Sequence, residues 1–271
     1  SPATLENRGR LALAVKDPNM AIQCAQAILS REPEYPPAWQ LLARAFQEVD
    51  QPLEALRALD HAVACSPEPK ILEMERADLL HRTQGIETAL VAWQELAERY
   101  PGDSLVLAGL ARLEVEAGNT QAAVQAGRQA LQADLGQLAP EDKLSLNCLI
   151  GQQLRIAGQP EEAISYLRDA IHQETQHIEA YLELGRAYQE LRQTSQALSV
   201  YKEAMSIAPK NPWPYYHAGI TLKDCKDYAE AENLLRRAAQ LAPRDVNIHR
   251  QLGALVALNL IHNRGTLNMV E

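Results

Sequence analysis

The sequence predicts an all-α protein: a right-handed superhelix, or solenoid, of about seven helix-turn-helix repeats of 34 residues each, closed by one further helix. Two observations lead to this fold class. Residue types recur every 34 residues along the chain, and Ala and Leu dominate its apolar residues. Since the chain contains a single Phe and few β-branched residues, its composition favours helices over sheets.

Small residues and prolines carry the period. Within each of two registers, alanine, glycine or proline returns after 34 residues, and three residue types on one period indicate stacked, similar units. The step from Ala123 to Ala163 is instead 40 residues, which predicts an insertion of six residues. It lies near Leu135 to Asp142, and a new helix is expected to begin near Pro140. The residues taken as the repeat signature are Trp39, Ala55, Pro67, Ala89, Pro101, Ala123, Gly151, Ala163, Gly185, Ala197, Pro209, Gly219, Ala231, Pro243 and Gly253.

Each repeat is predicted to contain two amphipathic helices. In residues 178–211, Tyr181 and Tyr188 share one face of the first helix, because a separation of seven residues is two helical turns. After a polar break, Ala197 belongs to a second helix that Pro209 ends, since proline lacks the amide donor and clashes with the preceding turn. Small residues are expected where the two helices approach closely.

The second repeat illustrates the residue pattern of a single unit. The second repeat reads Trp39, Leu42, Ala43, Phe46, Ala55, Leu59, Ala62 and Pro67. This pattern resembles the tetratricopeptide repeat, whose first helix carries Trp, Leu, Gly and Tyr and whose second helix carries Ala, Phe, Ala and Pro. The resemblance covers essentially the whole chain. It implies a single solenoid at 1–263, with repeats at 2–35, 36–69, 70–103, 104–143, 144–177, 178–211 and 212–245, a cap helix at 246–262, and a tail or linker at 264–271.

The third and fourth repeats depart from the pattern. In the third, Glu73 and Arg76 stand at positions that are usually apolar, and in the fourth, Gly127 stands at a position that is usually aromatic. We therefore expect these repeats to be packed more loosely than their neighbours.

No motif of catalysis or metal binding is found in the sequence. It contains no phosphate-binding glycine loop, no nucleophile elbow and no histidine pair at zinc spacing. His172 and His177 are expected to be solvated surface groups. The four cysteines form no C-x-x-C pair, which indicates reduced, mostly buried thiols. We expect a protein that is not an enzyme and that has no cofactor, no metal site and no catalytic residues.

Composition argues against two classes of partner and indicates a compartment. The chain has a formal charge of −9 and no basic tract, which argues against nucleic acid. The longest apolar stretch, 252–261, is interrupted by Asn259 and is too short to span a bilayer, so no direct membrane insertion is expected. Since no basic and apolar leader is visible, we expect a cytoplasmic protein.

The family resemblance implies a concave groove lined by the first helices of the repeats, in which a peptide or helix of a partner protein binds. Arginines spaced along apolar residues predict a partner with acidic groups and apolar anchors, because the guanidinium group binds carboxylates in a bidentate manner. The expected partner-binding residues are Arg44, Ile71, Met74, Leu105, Arg112, Cys148, Leu182, Arg186, Trp213 and Tyr216.

Alternatives remain open for these residues. The arginines can equally pair with acidic residues of neighbouring first helices. Trp213 and Tyr216 either form a binding hot spot or close the junction with the sixth repeat.

One subset of the family binds the C-terminal carboxylate of chaperones through Lys and Asn residues at fixed first-helix positions. Because the corresponding positions here hold residues such as Glu6, Gln40 and Glu75, the sequence disfavours this mode of binding.

The sequence thus predicts a non-catalytic scaffold or adaptor for protein–protein interaction. Two alternatives stay open. The chain can be the regulatory repeat arm of a larger enzyme or signalling protein, or a self-associating scaffold that forms a homo-oligomer through its apolar final helix.

Overall fold

The computed structural model describes residues 1–133 and 136–267, with side chains up to residue 260. These residues form fifteen α-helices and no β-strand. The helices are α1 (Pro2–Ala14), α2 (Pro18–Leu29), α3 (Pro36–Glu48), α4 (Pro52–Cys65), α5 (Lys70–Gln84), α6 (Ile86–Arg99), α7 (Ser104–Glu116), α8 (Thr120–Ala133), α9 (Pro140–Ile156), α10 (Pro160–Gln173), α11 (Ile178–Glu190), α12 (Thr194–Ile207), α13 (Pro212–Asp224), α14 (Tyr228–Leu241) and α15 (Val246–Leu267).

The helices follow one another in pairs that match the expected repeat ranges, except that α9 begins at Pro140, before the expected range 144–177. We call the odd-numbered helices up to α13 the first helices and the even-numbered ones the second helices. The described chain divides into two compact units: an N-terminal unit with α1 to α7, and a C-terminal unit with residues 120–131 of α8 and with α9 to α15.

Alanine is buried completely wherever the repeat signature places it on a second helix. Such a small side chain lets the second helix lie close against the first, so that larger residues fill the space on either side of it. Tyr201, Leu235 and Leu167 lie four residues after signature alanines and are also fully buried. The signature alanines with no exposed surface are Ala55, Ala89, Ala123, Ala163, Ala197 and Ala231.

Glycine on a first helix marks the closest approach of a pair. A Cβ atom added to Gly185 would overlap the ring of Tyr201, so no larger residue fits there without a shift. At Gly253 on α15, by contrast, an added Cβ atom would have no neighbour within 4 Å. The glycine of α11 is therefore required by packing, whereas the glycine of α15 is not.

Proline and capping residues set the ends of the helices. Four second helices end two residues before a signature proline: α4 before Pro67, α6 before Pro101, α12 before Pro209 and α14 before Pro243. At the start of α7, the Asp103 carboxylate accepts hydrogen bonds from the amides of Leu105 and Val106, both at 3.1 Å. These contacts satisfy amides that have no partner within the helix.

The third and fourth repeats hold their unusual residues in specific contacts. Glu73 is buried, and its carboxylate accepts hydrogen bonds from Arg99 and from the Tyr100 hydroxyl, the latter at 2.8 Å. Gly127 is also buried, and a Cβ atom added there would lie 2.8 Å from Cγ1 of Ile150, which fills the space that the usual aromatic side chain would need.

Two helix boundaries, one at the insertion and one at the end of the final helix, can be compared with those expected from the sequence. Helix α9 begins at Pro140, as predicted; Leu135 lies outside the described residues. Helix α15 continues to Leu267, whereas the expected cap helix ended at 262. A single glycine such as Gly265 costs a helix about 1 kcal/mol but does not by itself end it. The rest of the expected tail, 268–271, lies outside the described residues.

The two glycine environments predict opposite effects of the same substitution. We expect Gly185→Ala to lower the free energy of unfolding by about 1–3 kcal/mol, because the new methyl group overlaps Tyr201. Gly253→Ala is the matched control and should leave stability unchanged or raise it by up to about 1 kcal/mol, because alanine favours a helix. Urea denaturation measures both, and equal effects would contradict the packing role of Gly185.

Candidate functional site

First helices lie side by side within each unit. Helix α1 packs against α3 in the N-terminal unit, and α11 packs against both α9 and α13 in the C-terminal unit. We call the side of α1, α3, α5 and α7, and of α9, α11 and α13, that carries the expected partner-binding residues the first-helix face.

In the N-terminal unit, the arginines of this face contact acidic groups. Arg44 is exposed, and its Nη2 atom lies 2.5 Å from Oε1 of Glu75, which also accepts hydrogen bonds from the Gln40 amide at 3.0 Å. On the next pair of helices, burial raises the pKa of Asp78, while the positive charge of Arg112 acts in the opposite direction.

The same face carries a depression and one exposed apolar residue. The depression is an open cavity of about 450 Å³ between α1 and α3. Ile71 is 49% exposed, whereas Met74 is partly buried against a cluster that includes Trp93, and Leu105 is also partly buried. Of the three predicted apolar residues in this unit, Ile71 is thus the most available to a partner. The cavity is lined by Arg10, Leu13, Pro37, Gln40, Leu41 and Arg44.

An ion-pair network joins the first helices of the C-terminal unit. Arg155 on α9 contacts Glu183 at 2.8 Å and Glu190 at 2.6 Å, both on α11. Arg186 contacts Glu183 at 2.7 Å and, through Nη2, His217 Nε2 on α13 at 3.0 Å. Arg155 thus links α9 to α11, and Arg186 links α11 to α13. These contacts hold the three first helices in register.

His217 is held neutral within this network. A guanidinium group can only donate, so Nε2 of His217 must accept the hydrogen bond from Arg186, and the ring proton lies on Nδ1. Burial, together with the charges of Arg186 and Arg155, lowers the pKa of His217 to about 4. The imidazole stacks on the ring of Tyr201, with 5.7 Å between the ring centroids.

Aromatic side chains continue this surface along α13. Trp213 is 38% exposed, and its ring meets the edge of Tyr216 at a centroid distance of 5.8 Å. Tyr216 in turn contacts His217 at 5.1 Å. Leu182 differs from the expectation for a groove-lining residue, since only 9% of it is exposed.

Cys148 and His177 form a pair that the sequence did not suggest. Their Sγ and Nδ1 atoms are 3.6 Å apart, and Nδ1 of His177 also accepts a hydrogen bond from the Ala180 amide at the start of α11. His177 is therefore a helix cap, and the prediction that it is solvated was wrong; His172 is exposed as expected. Burial, with the charges of Glu179 and Glu183, raises the pKa of Cys148 to about 12, so its thiol stays protonated and is a poor nucleophile.

The cysteines differ from the expectation in their burial, and the placement of the acidic and histidine side chains bears on a metal site. All four cysteines are free, as expected, but only Cys24 is fully buried and Cys225 is exposed, so the prediction of mostly buried thiols was wrong. Among the residues that the structure describes, no three His, Cys, Asp or Glu side chains come together as a possible metal site. No helix in this described part combines the length and apolar character needed to cross a membrane.

Comparisons with known proteins agree with the repeat pattern. Two family models, both described as tetratricopeptide repeat, match residues 74–140 and, in overlapping placements, residues 154–218 and 190–255. This chain belongs to the tetratricopeptide-repeat (TPR) family. Its repeats support a role as a protein-interaction scaffold.

Solved structures show the same TPR solenoid fold. The chain is similar to the C-terminal part of a TPR repeat-containing protein from Cytophaga hutchinsonii, with a TM-score of 0.72, 13% identity, and coverage of 91% of this chain and 99% of that one. It is also similar to YrrB, a TPR protein with an unusual peptide-binding site, with a TM-score of 0.61, 21% identity, and coverage of 72% and 98%. At these identities the likeness shows the fold alone.

Two curated proteins match shorter stretches. The chain is 26% identical over 103 residues to the protein O-mannosyl-transferase Tmtc3 of Drosophila melanogaster, which covers 38% of this chain and 11% of that protein. It is 30% identical over 71 residues to the cell division cycle protein 27 homolog A of Arabidopsis thaliana, which covers 26% and 10%. The chain therefore spans about a tenth of the length of these relatives.

Sequence reasoning left open that arginines pair with acidic residues of neighbouring first helices, but the 34-residue TPR register alone did not identify the pairs of this network. The contacts from Arg155 to Glu183 and to Glu190 are 28 and 35 residues apart, and the contact from Arg44 to Glu75 is 31 apart. A comparison of residues at one repeat position sees only separations of 34. A search for opposite charges one repeat apart, plus or minus about two helical turns, would have found these pairs.

Neutral His217 makes the stability of this TPR protein sensitive to pH. Its folded pKa of about 4 lies below the ordinary value of about 6.5, so its contribution is present above pH 6.5 and is lost as the pH falls towards 4. Between pH 7 and 4.5, we expect the wild type to lose about 2–3 kcal/mol more stability than His217→Gln, measured by urea denaturation. The control His172→Gln, at an exposed site, should follow the wild type. Identical pH profiles for His217→Gln and the wild type would contradict the assignment.

Proposed function

We propose that this chain is a non-catalytic scaffold that binds a peptide or helix of a partner protein on its first-helix face. The proposal rests chiefly on one observation, the exposed indole of Trp213 beside Tyr216 on α13. Aromatic residues with an exposed apolar surface are frequent anchors of protein interfaces, because they bury a large area with few rotatable bonds.

The spacing along α13 supports a continuous contact surface. Trp213, Tyr216 and Ile220 are three and four residues apart, so they share one face of the helix. Tyr216 and Ile220 are half-buried, which fixes their position, while Trp213 remains accessible. A partner that lies across α13 would thus meet an apolar, already ordered surface, and little conformational entropy would be lost on binding.

Of the two roles that the sequence left open for the arginines, the contacts favour pairing with acidic residues of the protein itself. Since Arg44 and Arg186 already contact Glu75 and Glu183, acidic groups of a partner would have to compete with these carboxylates. We therefore assign the first contact to apolar anchors, with Ile71 in the N-terminal unit and Trp213 in the C-terminal unit. The proposed partner segment still carries acidic groups beside its apolar anchors.

A second candidate function is that of a regulatory repeat arm within a larger enzyme. The observation that favours it is the match to a protein O-mannosyl-transferase, which is limited to about a tenth of that protein. A catalytic domain in the same gene product would support this candidate. The two functions agree on the first-helix face as the binding surface.

Self-association is a third candidate and rests on α15. Leu258 and Leu260 are 43% and 58% exposed on this final helix. Light scattering over a range of concentrations tests it directly, because a mass that stays that of the monomer contradicts self-association.

Site-specific photo-crosslinking tests the proposed function. We expect a photo-reactive phenylalanine analogue at position 213 to capture a discrete partner in cells of the native host. The matched control carries the same analogue at Lys202, which is exposed on second helix α12. Mass spectrometry of the adducts compares the two positions. Adducts at 213 that are absent at 202 support the proposal; adducts at 202 alone, or the same adducts at both, would refute it.

A further inference from the structure

Arg76 occupies one of the two positions at which the third repeat has a charged residue in place of the usual apolar one. At the 34-residue step on either side stand Leu42 and Leu110, which are buried or half-buried. The Arg76 side chain instead reaches α4, where its Nε atom lies 2.5 Å from Oδ1 of Asp60. An arginine in place of leucine leaves part of the space between α4 and α6 unfilled by apolar atoms.

A groove lies at this place on the surface of the N-terminal unit. It is an open cavity of about 650 Å³ formed by α4, α5 and α6, and its volume is that of a typical ligand-binding cleft. Its apolar lining comes from Leu56, Leu80, Val91 and Ala92. Val91 is 56% exposed, so the groove offers apolar surface to water.

Carboxylates surround this apolar lining. Glu87 and Glu95 lie one helical turn before and after Val91 on α6, and both are exposed. Asp60 is the third carboxylate, and Arg76 pairs with it. The lining therefore carries two negative charges that Arg76 does not offset, and these attract a cation to the groove.

The groove is separate from the first-helix face. Arg76, Leu80 and Gln84 line it from α5, and their spacing of four residues places them on one side of that helix. Ile71, which belongs to the first-helix face, lies on the opposite side of α5, because it is rotated by about 140° from Arg76 and by about 180° from Leu80. Helix α5 thus contributes residues to two surfaces, the groove and the first-helix face.

We propose that this groove is a second docking site, which binds a cationic protein segment with an apolar anchor. The anchor occupies the space over Val91 and Leu80, and Lys or Arg residues on either side of it pair with Glu87 and Glu95. The chemistry is the reverse of that proposed for the first-helix face, so the two surfaces would take different partners at the same time.

Peptide binding to the full chain tests this assignment. The probe is a fluorescein-labelled, 14-residue amphipathic peptide of Leu and Lys, and its counterpart has Glu in place of every Lys. Fluorescence anisotropy measures both. We expect saturable binding of the Lys peptide that weakens with added salt, and no binding of the Glu peptide to this groove.

Three variants distinguish binding in the groove from attraction of the peptide to the overall negative charge of the protein. Glu87→Lys/Glu95→Lys should raise the Kd of the Lys peptide about tenfold, because two attractions become repulsions. Val91→Ser should raise it about threefold through the lost apolar contact. The control Glu34→Lys/Glu48→Lys makes the same change in net charge at exposed positions outside the groove and should change the Kd by less than about twofold. All these positions are exposed, and thermal denaturation followed by circular dichroism verifies that each variant folds.

Three results would overturn the proposal: no saturable binding of the Lys peptide, an equal loss in the control variant, or an unchanged Kd in both Glu87→Lys/Glu95→Lys and Val91→Ser. None of these variants changes Trp213 or Ile71, the anchors of the proposed scaffold function, so failure of this experiment would leave that function untouched.

Discussion

The close approach of the two helices of a repeat, at alanine and glycine, is the contact on which the rest of the structure depends. Ala197 has no exposed surface, and a Cβ atom at Gly185 would overlap Tyr201. Because the paired helices are so close, large residues such as Leu167 and Tyr201 are buried beside the small ones. Each first helix thereby keeps one side free of this packing, and that side carries the polar and aromatic residues of the first-helix face.

Ion pairs then fix the position of neighbouring first helices. In the C-terminal unit, Glu183 accepts from both Arg155 and Arg186, and Arg186 reaches His217 on the following first helix. A scaffold that binds partners through an open surface gains from such cross-links, because they order the surface before a partner arrives. Arg186, which the sequence marked for binding, thus supports Trp213 and Tyr216 through its contact with His217.

Much of the fold could be predicted from the sequence because its cause is local and periodic. Complete burial of Ala55 and Ala231 follows from their place in the 34-residue period, and α12 and α14 end before Pro209 and Pro243 because proline cannot continue a helix. The all-helical prediction is confirmed over the residues that the structure describes.

The candidate site could be predicted only in part, because side-chain contacts between repeats do not keep the period. Arg155 reaches residues 28 and 35 positions away, and His177 becomes a helix cap through the geometry of a single turn. The burial of Leu182 also depends on its neighbours in space, which the period does not reveal. Contacts of this kind can be identified only when the positions of the helices in space are known.

Hydrogen exchange of the chain, alone and with the partner captured at position 213, tests the account most directly. The account predicts slower amide exchange in α13 (Pro212–Asp224) and α11 (Ile178–Glu190) when the partner is bound, with second helices α12 and α14 unchanged. Slower exchange confined to α12 and α14 would contradict it, because the partner would then lie on the opposite side of the repeats.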